Sequence, residues 1–344
     1  MRFGRTLLSA AMALAIVGVA VPSARVGAAT DGLAAAFTAI RGGTVWPVQG
    51  GTRDAITSTL GPRIRAATDA YDWHRGIDLH APEGTPVVAA LAGELFGVRD
   101  YADGGLTVIL RHAFPEPVLF QGRSLTLFYT FHMHLSEIEP ALAAAAAAGE
   151  TPAVARGERI GRVGHTGNAL SDHLHWELRV GTPYSLEWQL ANPGSRYGAD
   201  AFGFDPHVHP MLLVPPPSSH GMSLSVTTKP TPTADGLVRI ATSDDDPLLD
   251  RVEVRVVRRS DGRLLQGHTL DLDERIGYDA RTTAALDTPD TSRPWLSPVP
   301  FGSTSTWTTA LVLPASWWSG VAGVRVRTTV RIVDAWGRST SISW

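Results

Sequence analysis

The sequence of 344 residues contains no cysteine. Disulfide bonds, thiolate metal sites and a cysteine nucleophile are therefore excluded, and His, Asp and Glu remain as the strong metal ligands. An excess of basic charge is also missing, because 30 Lys and Arg face 33 Asp and Glu and give a formal net charge of −3. This balance argues against nucleic acid or an anionic membrane as the main partner.

Long apolar runs are missing except near the N-terminus, where residues 1–29 have the pattern of a secretory signal peptide. Arg2 and Arg5 precede a nearly continuous apolar segment from Leu7 to Val21, and small residues follow at 26–29. The segment of about 15 residues is shorter than the roughly 20 that a membrane span needs. We therefore expect an exported protein, periplasmic or secreted and cell-wall associated, without a membrane span after cleavage. An uncleaved anchor is the alternative.

Turn residues and a proline run divide the rest of the chain into segments. After a lead-in at 30–45, short apolar runs broken by glycine and proline extend over 46–214 and predict an antiparallel β domain. An alanine-rich stretch predicts one solvent-exposed helix at about 136–148. Proline-rich residues 215–221 predict a stiff linker, and alternating strands over 222–344 predict a smaller β-sandwich. The predicted fold class is all-β.

Within the first β domain, histidines lie close in sequence to a second histidine or to an aspartate. The pairs are His74 with Asp78, His132 with His134, and His173 with His175. In an extended segment, side chains separated by an even number of residues project from one face, so we expect each pair to project together. A catalytic zinc site needs three nitrogen or oxygen ligands and keeps one position open for water. Together the pairs predict such a site with additional bases beside it.

The short motifs around these pairs resemble those of the lysostaphin-type (LytM-like) zinc metallopeptidases, which cut the peptides of bacterial peptidoglycan. The resemblance covers about residues 46–214, or half of the chain. In chain order, the matching segments are 56–63, His74 to Asp78, 81–89, 134–136, 157–167, His173 to Glu177, and Asp205 with Pro206. The family's fold is therefore expected for this region.

The resemblance implies one zinc ion held by His74, Asp78 and His175. It also implies that His134 and His173 are the two non-ligand imidazoles, which handle protons and stabilise the oxyanion. Which of these two is the base stays open at this stage. With a zinc ion, such a site would use a metal-activated water to attack a peptide carbonyl.

The function implied is an exported zinc metalloendopeptidase that hydrolyses stem or cross-bridge peptides of peptidoglycan. The alternative is a non-hydrolytic zinc-binding cell-wall module that activates or recruits another hydrolase. A third interpretation is a secreted peptidase that acts on proteins.

Cell-wall proteins are candidate partners through the C-terminal domain, for which we recognise no family. It holds six of the ten tryptophans, and we expect most of them to be core or interface residues rather than a sugar-binding surface.

The sequence departs from the family pattern beside the predicted site. Ser171 and Asp172 stand where a glycine usually precedes the His-x-His pair, and His80 replaces a small residue. Glu177 is expected either to accept a hydrogen bond from a metal ligand or to pair with Arg179. These departures concern the substrate groove more than the metal ligands.

Three further histidines compete with the site residues. His132 is the rival of His134 for the catalytic role, but the His-Leu-Ser sequence that matches the family begins at His134. His207 and His209 form another His-x-His pair between two prolines, for which we expect a surface strand rather than a metal site.

Overall fold

The structure is a computed structural model. It describes residues 27–52, 55–65, 70–120, 122–181, 207–215, 221–241, 249–272, 291–297 and 308–344. Most of the predicted signal peptide, Asp205 with Pro206, and residues 216–220 of the predicted linker lie outside these ranges. Within them, none of the helices combines the length and hydropathy that a membrane crossing requires.

The described part of the chain is mostly β and its sheets are antiparallel, which confirms the predicted all-β class. Helix α1 (Gly27–Ile40) and a 3-10 turn (Arg41–Gly43) come first. The strands of the first domain are β1 (Ile56–Ser58), β2 (Gly61–Arg65), β3 (Ala70–His74), β4 (Ile77–His80), β5 (Pro86–Val88), β6 (Gly93–Tyr101), β7 (Gly105–Phe120), β8 (Arg123–Leu135), β9 (Glu137–Ile138), β10 (Ala153–Val154), β11 (Arg159–Arg162), β12 (His173–Gly181) and β13 (His207–Val208). Helix α2 (Pro140–Ala148) lies between β9 and β10, and a 3-10 helix (Pro210–Leu213) follows β13.

An eight-stranded antiparallel sheet forms the centre of the first domain. Its strand order is β1-β4-β12-β8-β7-β6-β10, and β13 pairs with β12. The described residues of this region also form a three-stranded sheet β5-β11-β9 and a separate hairpin β2-β3. Alternate side chains of the large sheet enter a hydrophobic core that includes Leu79, Leu110 and Trp176. The sheet therefore provides the rigid frame on which the polar residues of β4, β8 and β12 are placed.

Both helices differ in part from the sequence expectation. Residues of the predicted lead-in belong to α1, whose Leu33 and Phe37 are buried in the core. Helix α2 begins only at Pro140, because Glu137–Ile138 pairs with β11 as a strand and proline favours the first turn of a helix. It ends at Gly149, which adopts a left-handed backbone conformation. Two of its residues are buried, so this helix is not a wholly exposed insertion.

The described residues of the C-terminal region form two four-stranded antiparallel sheets. Their orders are β14-β15-β19-β18 and β17-β16-β20-β21. The strands are β14 (Ser223–Thr228), β15 (Gly236–Ala241), β16 (Leu249–Arg258), β17 (Leu264–Asp271), β18 (Trp295–Leu296), β19 (Thr308–Leu313), β20 (Val326–Asp334) and β21 (Ser339–Ser343), with a short helix α3 (Ala315–Trp318) and a 3-10 turn (Ser319–Val321) before β20. Apolar residues of both sheets form one core, as expected for a sandwich.

Each of the two regions contributes side chains to the hydrophobic core of the other. Leu60 and Trp73 of the first domain belong to the core of the C-terminal sandwich. In the opposite direction, Trp336 from the turn between β20 and β21 is buried in the core of the first domain. Its indole Nε1 donates hydrogen bonds to the backbone oxygens of Met211 at 3.1 Å and Val214 at 2.9 Å. Contacts between the regions are thus made from both sides.

Candidate metal centre

Three potential ligand atoms from distant parts of the chain meet at one point. Antiparallel pairing of β12 with β4 places His175 opposite Asp78, and the distance from His175 Nδ1 to Asp78 Oδ1 is 2.8 Å. His74 Nε2 lies 3.1 Å from the same oxygen and 3.0 Å from His175 Nδ1. All three residues are buried. The structure therefore brings together the three residues that the sequence analysis selected as ligands.

The route by which His74 reaches Asp78 differs from the expected one. We expected a single extended segment, but the chain bends at Arg75 and Gly76, so that His74 ends β3 in one sheet and Asp78 lies in β4 of another. A Cβ atom on Gly76 would lie 3.0 Å from the carbonyl carbon of Trp176 and closer still to its oxygen. The bend therefore depends on a glycine that packs against β12.

Hydrogen bonds on the far side of each imidazole fix which nitrogen faces the centre. The carbonyl oxygen of Thr59 accepts a hydrogen bond from His74 Nδ1 at 2.8 Å, and Glu177 Oε1 accepts one from His175 Nε2 at 3.0 Å. These bonds hold a ring proton on each outer nitrogen, so that with a metal ion bound His74 Nε2 and His175 Nδ1 would direct lone pairs at the centre. Two lone pairs and a carboxylate oxygen at this spacing fit a divalent cation such as zinc.

The charges around Asp78 also suit a cation. Burial alone would raise its pKa, but His74 and His175 hold the pKa of Asp78 well below its usual value. Its second oxygen, Oδ2, accepts a hydrogen bond from Arg63 Nη1 at 3.0 Å. Burial, reinforced by Arg63, lowers the pKa of His74 to about 4. Burial opposes a charge on His175, yet hydrogen bonds to Asp78 and Glu177 raise its pKa to about 9. A metal ion would take the place of that proton.

The two further imidazoles predicted for the site lie beside these ligands. The ring centroids of His134 and His173 are 4.8 Å apart, and that of His134 is 5.9 Å from that of His175. His173 Nε2 is 3.5 Å from Asp78 Oδ1. His173 and His175 share one face of β12, as the alternation of a strand predicts. All five predicted site residues are therefore gathered in one place.

The backbone of His134 is unusual. Among the described residues it is the one non-glycine residue with a positive φ, at 63°. Its N–H donates to the carbonyl oxygen of Gly104 and its ring Nδ1 donates to that of Thr166, both at 2.8 Å. Burial, then the nearby His175 and His173, lowers the pKa of His134 to about 3. Strained backbone that the surroundings maintain is frequent at functional sites.

This backbone also explains why His132 and His134 do not share a face, a sequence expectation that was wrong. In the pairing of β8 with β12, His132 lies opposite Trp176, a residue of the hydrophobic core. His132 is fully buried, with its Nδ1 3.4 Å from the carbonyl oxygen of Val108. Burial lowers its pKa to about 3. The left-handed conformation at His134 instead directs that side chain to the side of His175.

The expected surface strand at His207 and His209 was also wrong, because both residues are buried. Strand β13 covers the edge of β12, and His207 Nε2 lies 3.6 Å from Glu177 Oε2. Glu177 makes both contacts named in the sequence analysis, since it accepts a hydrogen bond from the proposed ligand His175 and also pairs with Arg179 at 2.5 Å. Burial would raise the pKa of Glu177, but Arg179 and His175 hold it well below its usual value.

Sequence reasoning did not identify several residues that contact the site. Arg63 bonds to Asp78, Thr59 to His74, and Ser58 lies 3.1 Å from His74 Nδ1. These residues belong to the 56–63 segment that resembles the family, so the polar positions of that segment were the available signal.

A second group of possible metal ligands lies at the surface. One ligand atom each of Glu83, His165 and Asp172 lies within 4.8 Å of the others. His165 Nδ1 is 2.7 Å from Asp172 Oδ1, and the His165 side chain is 58% exposed. Such an exposed pair is satisfied by solvent and by its own charges. The buried group is the stronger candidate for a metal centre.

Comparison with known proteins supports the resemblance over the region that contains the site. Residues 72–186 match the family model for Peptidase family M23. An uncharacterized metalloprotease of Haemophilus influenzae is 34% identical over 137 residues, which is 39% of this chain and 24% of that protein. The peptidoglycan DD-endopeptidase ShyA of Vibrio cholerae is 30% identical over 126 residues, or 36% of this chain and 25% of that protein. The chain thus spans about a quarter of the length of these relatives.

A third relative and one solved structure are also similar to part of this chain. The DD-carboxypeptidase/endopeptidase Mpg of Neisseria meningitidis is 34% identical over 125 residues, or 36% of this chain and 24% of that protein. The crystal structure of a zinc-containing peptidase from Vibrio cholerae is 28% identical in sequence and has a TM-score of 0.28. The match covers 36% of this chain and 33% of the chain in that structure.

Proposed function

We propose that the protein is an exported zinc metalloendopeptidase that hydrolyses peptide bonds of peptidoglycan, and the match of residues 72–186 to the model of peptidase family M23 supports this proposal. The observation that carries the proposal is the convergence of His74, Asp78 and His175 beside two further imidazoles. One relative named as a peptidoglycan DD-endopeptidase and another named as a DD-carboxypeptidase/endopeptidase support the substrate class.

The ligand set suits one zinc ion per chain. Two neutral imidazoles and one carboxylate, from His74, His175 and Asp78, leave a bound zinc with a net positive charge. Zinc bound there would supply an acidified water and polarise the scissile carbonyl group. The chain itself orients the two imidazoles through Thr59 and Glu177 and the carboxylate through Arg63.

His134 and His173 are oriented for proton transfer. The ring Nδ1 of His134 donates to the backbone oxygen of Thr166, and that of His173 donates to the backbone oxygen of Ser171, both at 2.8 Å. Each ring therefore has its lone pair on Nε2, which can accept a proton. We propose that one imidazole accepts the proton of the attacking water on Nε2 and passes it to the leaving amine. The other takes up a proton from solvent on its own Nε2 and donates a hydrogen bond to the developing oxyanion.

The competing reading is a non-hydrolytic zinc-binding module that activates or recruits another cell-wall hydrolase. Hydrolysis is the better proposal because the proton-transfer residues are present and lie in ring contact with each other. A binding module would need only the ligands and a docking surface. The proposed location, in the periplasm or at the cell wall, follows from the substrate and from the signal pattern of residues 1–29.

The test is hydrolysis of purified peptidoglycan by the zinc-loaded protein, followed as free amines and by mass spectrometry of the products. We expect amine release that a chelator abolishes and that is lost in His175→Ala and His134→Ala. His165→Ala, which changes an exposed imidazole outside the centre, is the matched control and retains the activity. Zinc binding without any amine release would favour the binding module. Equal release by wild type and His175→Ala would refute the ligand assignment.

A further inference from the structure

A continuous series of hydrogen bonds connects the C-terminal region with the proposed ligand His74. Trp336 Nε1 donates to the backbone oxygen of Met211, and the backbone N–H of Met211 donates to His209 Nδ1 at 3.3 Å. His209 Nε2 lies 3.2 Å from Thr59 Oγ1, and the backbone oxygen of Thr59 accepts the hydrogen bond from His74 Nδ1.

The direction of these bonds fixes the ring of His209. Because its Nδ1 accepts from Met211, its proton is on Nε2, which donates to the hydroxyl oxygen of Thr59. His209 is fully buried and Thr59 is 6% exposed, so neither partner is replaced by bulk water. A buried polar pair of this kind holds its two backbone segments at a defined separation.

The segment that His209 holds contains Thr59, which orients the proposed ligand His74. Thr59 lies between β1 and β2, and its backbone oxygen fixes both the tautomer and the ring orientation of His74. A shift of Thr59 would therefore move the lone pair on His74 Nε2 relative to Asp78 and His175. The other end of the series is held by Trp336, which comes from the turn between β20 and β21.

From this arrangement we infer that His209 is a positioning residue of the metal centre, which couples the C-terminal region through Trp336 and Met211 to Thr59 and His74. The inference rests on the proposed zinc site. It gives the C-terminal region a role within the peptidase domain in addition to any contact with the cell wall. His209 acts through Thr59 and does not touch substrate or metal.

Two substitutions separate the two hydrogen bonds of His209. In His209→Asn, the side-chain oxygen takes the position of Nδ1 and keeps the bond from Met211 N–H, which caps the 3-10 helix Pro210–Leu213, but the shorter side chain loses Thr59. In His209→Gln, the longer side chain carries an N–H donor to the position of Nε2 and keeps Thr59. The positioning role predicts weaker zinc binding for the Asn variant and nearly normal binding for the Gln variant.

The measurement is the dissociation constant of zinc alone, by competition with a chromophoric chelator on the full chain, together with the thermal stability of the metal-free protein. We expect His209→Asn and Thr59→Val each to weaken zinc binding about three- to tenfold. This loss is smaller than the roughly 10–100-fold typical when a residue that bonds directly to a metal ligand is replaced. The double variant is expected to be no weaker than the worse single variant, because both remove the same bond. Trp336→Phe, which lacks the N–H donor, is expected to weaken zinc binding in the same direction. The visible spectrum of the cobalt-substituted protein should shift in the Asn variant and not in the Gln variant.

The matched control is His112→Asn. His112 is also a buried imidazole, bonded to the backbone oxygen of Ala92 and to Thr130, and it lies outside the series. A purely structural role of His209 predicts that zinc affinity follows thermal stability equally in all variants. That result, or affinity of a folded His209→Asn within twofold of wild type, overturns the inference and leaves the proposed function intact. Failure of the wild type to bind zinc overturns both.

Discussion

Glu177 accepts the outer hydrogen bond of His175 at 3.0 Å while its other oxygen pairs with Arg179 at 2.5 Å. The carboxylate is thereby kept ionised and fixed in a buried position. A metal-bound imidazole whose other N–H donates to a carboxylate is a stronger and better oriented ligand. Glu177 is thus the main support of His175 on the side facing away from the metal centre.

This relationship predicts the effect of Glu177→Gln. The amide is nearly isosteric but carries no charge, so we expect zinc affinity to fall about 10–100-fold. Chelator competition measures the change. Glu94→Gln is the control, since Glu94 forms only an exposed pair with Arg111. Unchanged zinc affinity in Glu177→Gln would show that His175 needs no such support.

The bend at Gly76 makes a second prediction. Because a Cβ atom would collide with the backbone of Trp176, Gly76→Ala is expected to destabilise the fold by about 1–3 kcal/mol and to displace His74 from Asp78. Urea unfolding measures the first effect and zinc stoichiometry the second. Gly42→Ala is the control, because a Cβ atom there meets nothing within 4 Å. Equal stability of both variants would contradict the proposed collision.

The number of bound metal ions distinguishes the two groups of ligand candidates. We expect one tightly bound zinc ion per chain by elemental analysis after dialysis. Asp78→Asn should reduce this number towards zero, because it changes a buried ligand to a neutral amide. Asp172→Asn, in the exposed group, should leave it at one. Two zinc ions in the wild type and one in Asp172→Asn would show that the surface group also binds tightly.

Buried neutral imidazoles predict a loss of stability in acid. Burial lowers the pKa of His112 to about 4, whereas an unfolded histidine has a pKa of about 6.5. Between these values the unfolded chain binds the proton and the folded chain does not, so stability falls as the pH decreases from about 6.5 to 4. One such residue contributes at most about 3 kcal/mol over this range.

The measurement is urea unfolding of wild type and His112→Gln at several pH values, both in excess chelator so that the metal state is the same. The variant lacks the titrating imidazole, so the wild type should lose more stability than the variant as the pH falls from about 6.5 to 4. The advantage of the wild type in unfolding free energy should therefore become smaller over this range. Parallel curves for the two proteins would show that His112 is not responsible.

The sequence predicted those features that depend on local alternation. The shared face of His173 and His175 follows from the period of a strand, and the end of α2 follows from Gly149. The features that it did not predict depend on distant contacts. The left-handed backbone of His134 is maintained by Gly104 and Thr166, which are far away in the sequence.

Burial of His207 and His209 was missed for a similar reason. Two flanking prolines suggested a surface strand, but the pairing of β13 with β12 and the hydrogen bond to Thr59 are long-range events. The gathering of His74, Asp78 and His175 was expected from family resemblance, yet the bend at Gly76 that achieves it was not. The roles of the five site residues remain predictions.

Trp73 lies in the hydrophobic core of the C-terminal sandwich, and the very next residue, His74, is a proposed metal ligand. The border between the two halves of the molecule therefore passes within one residue of the proposed metal centre. Recombination of the first half with an unrelated partner would leave the indole of Trp73 exposed beside the proposed ligand His74. The two halves are consequently expected to be inherited together, as a single evolutionary unit rather than as interchangeable modules.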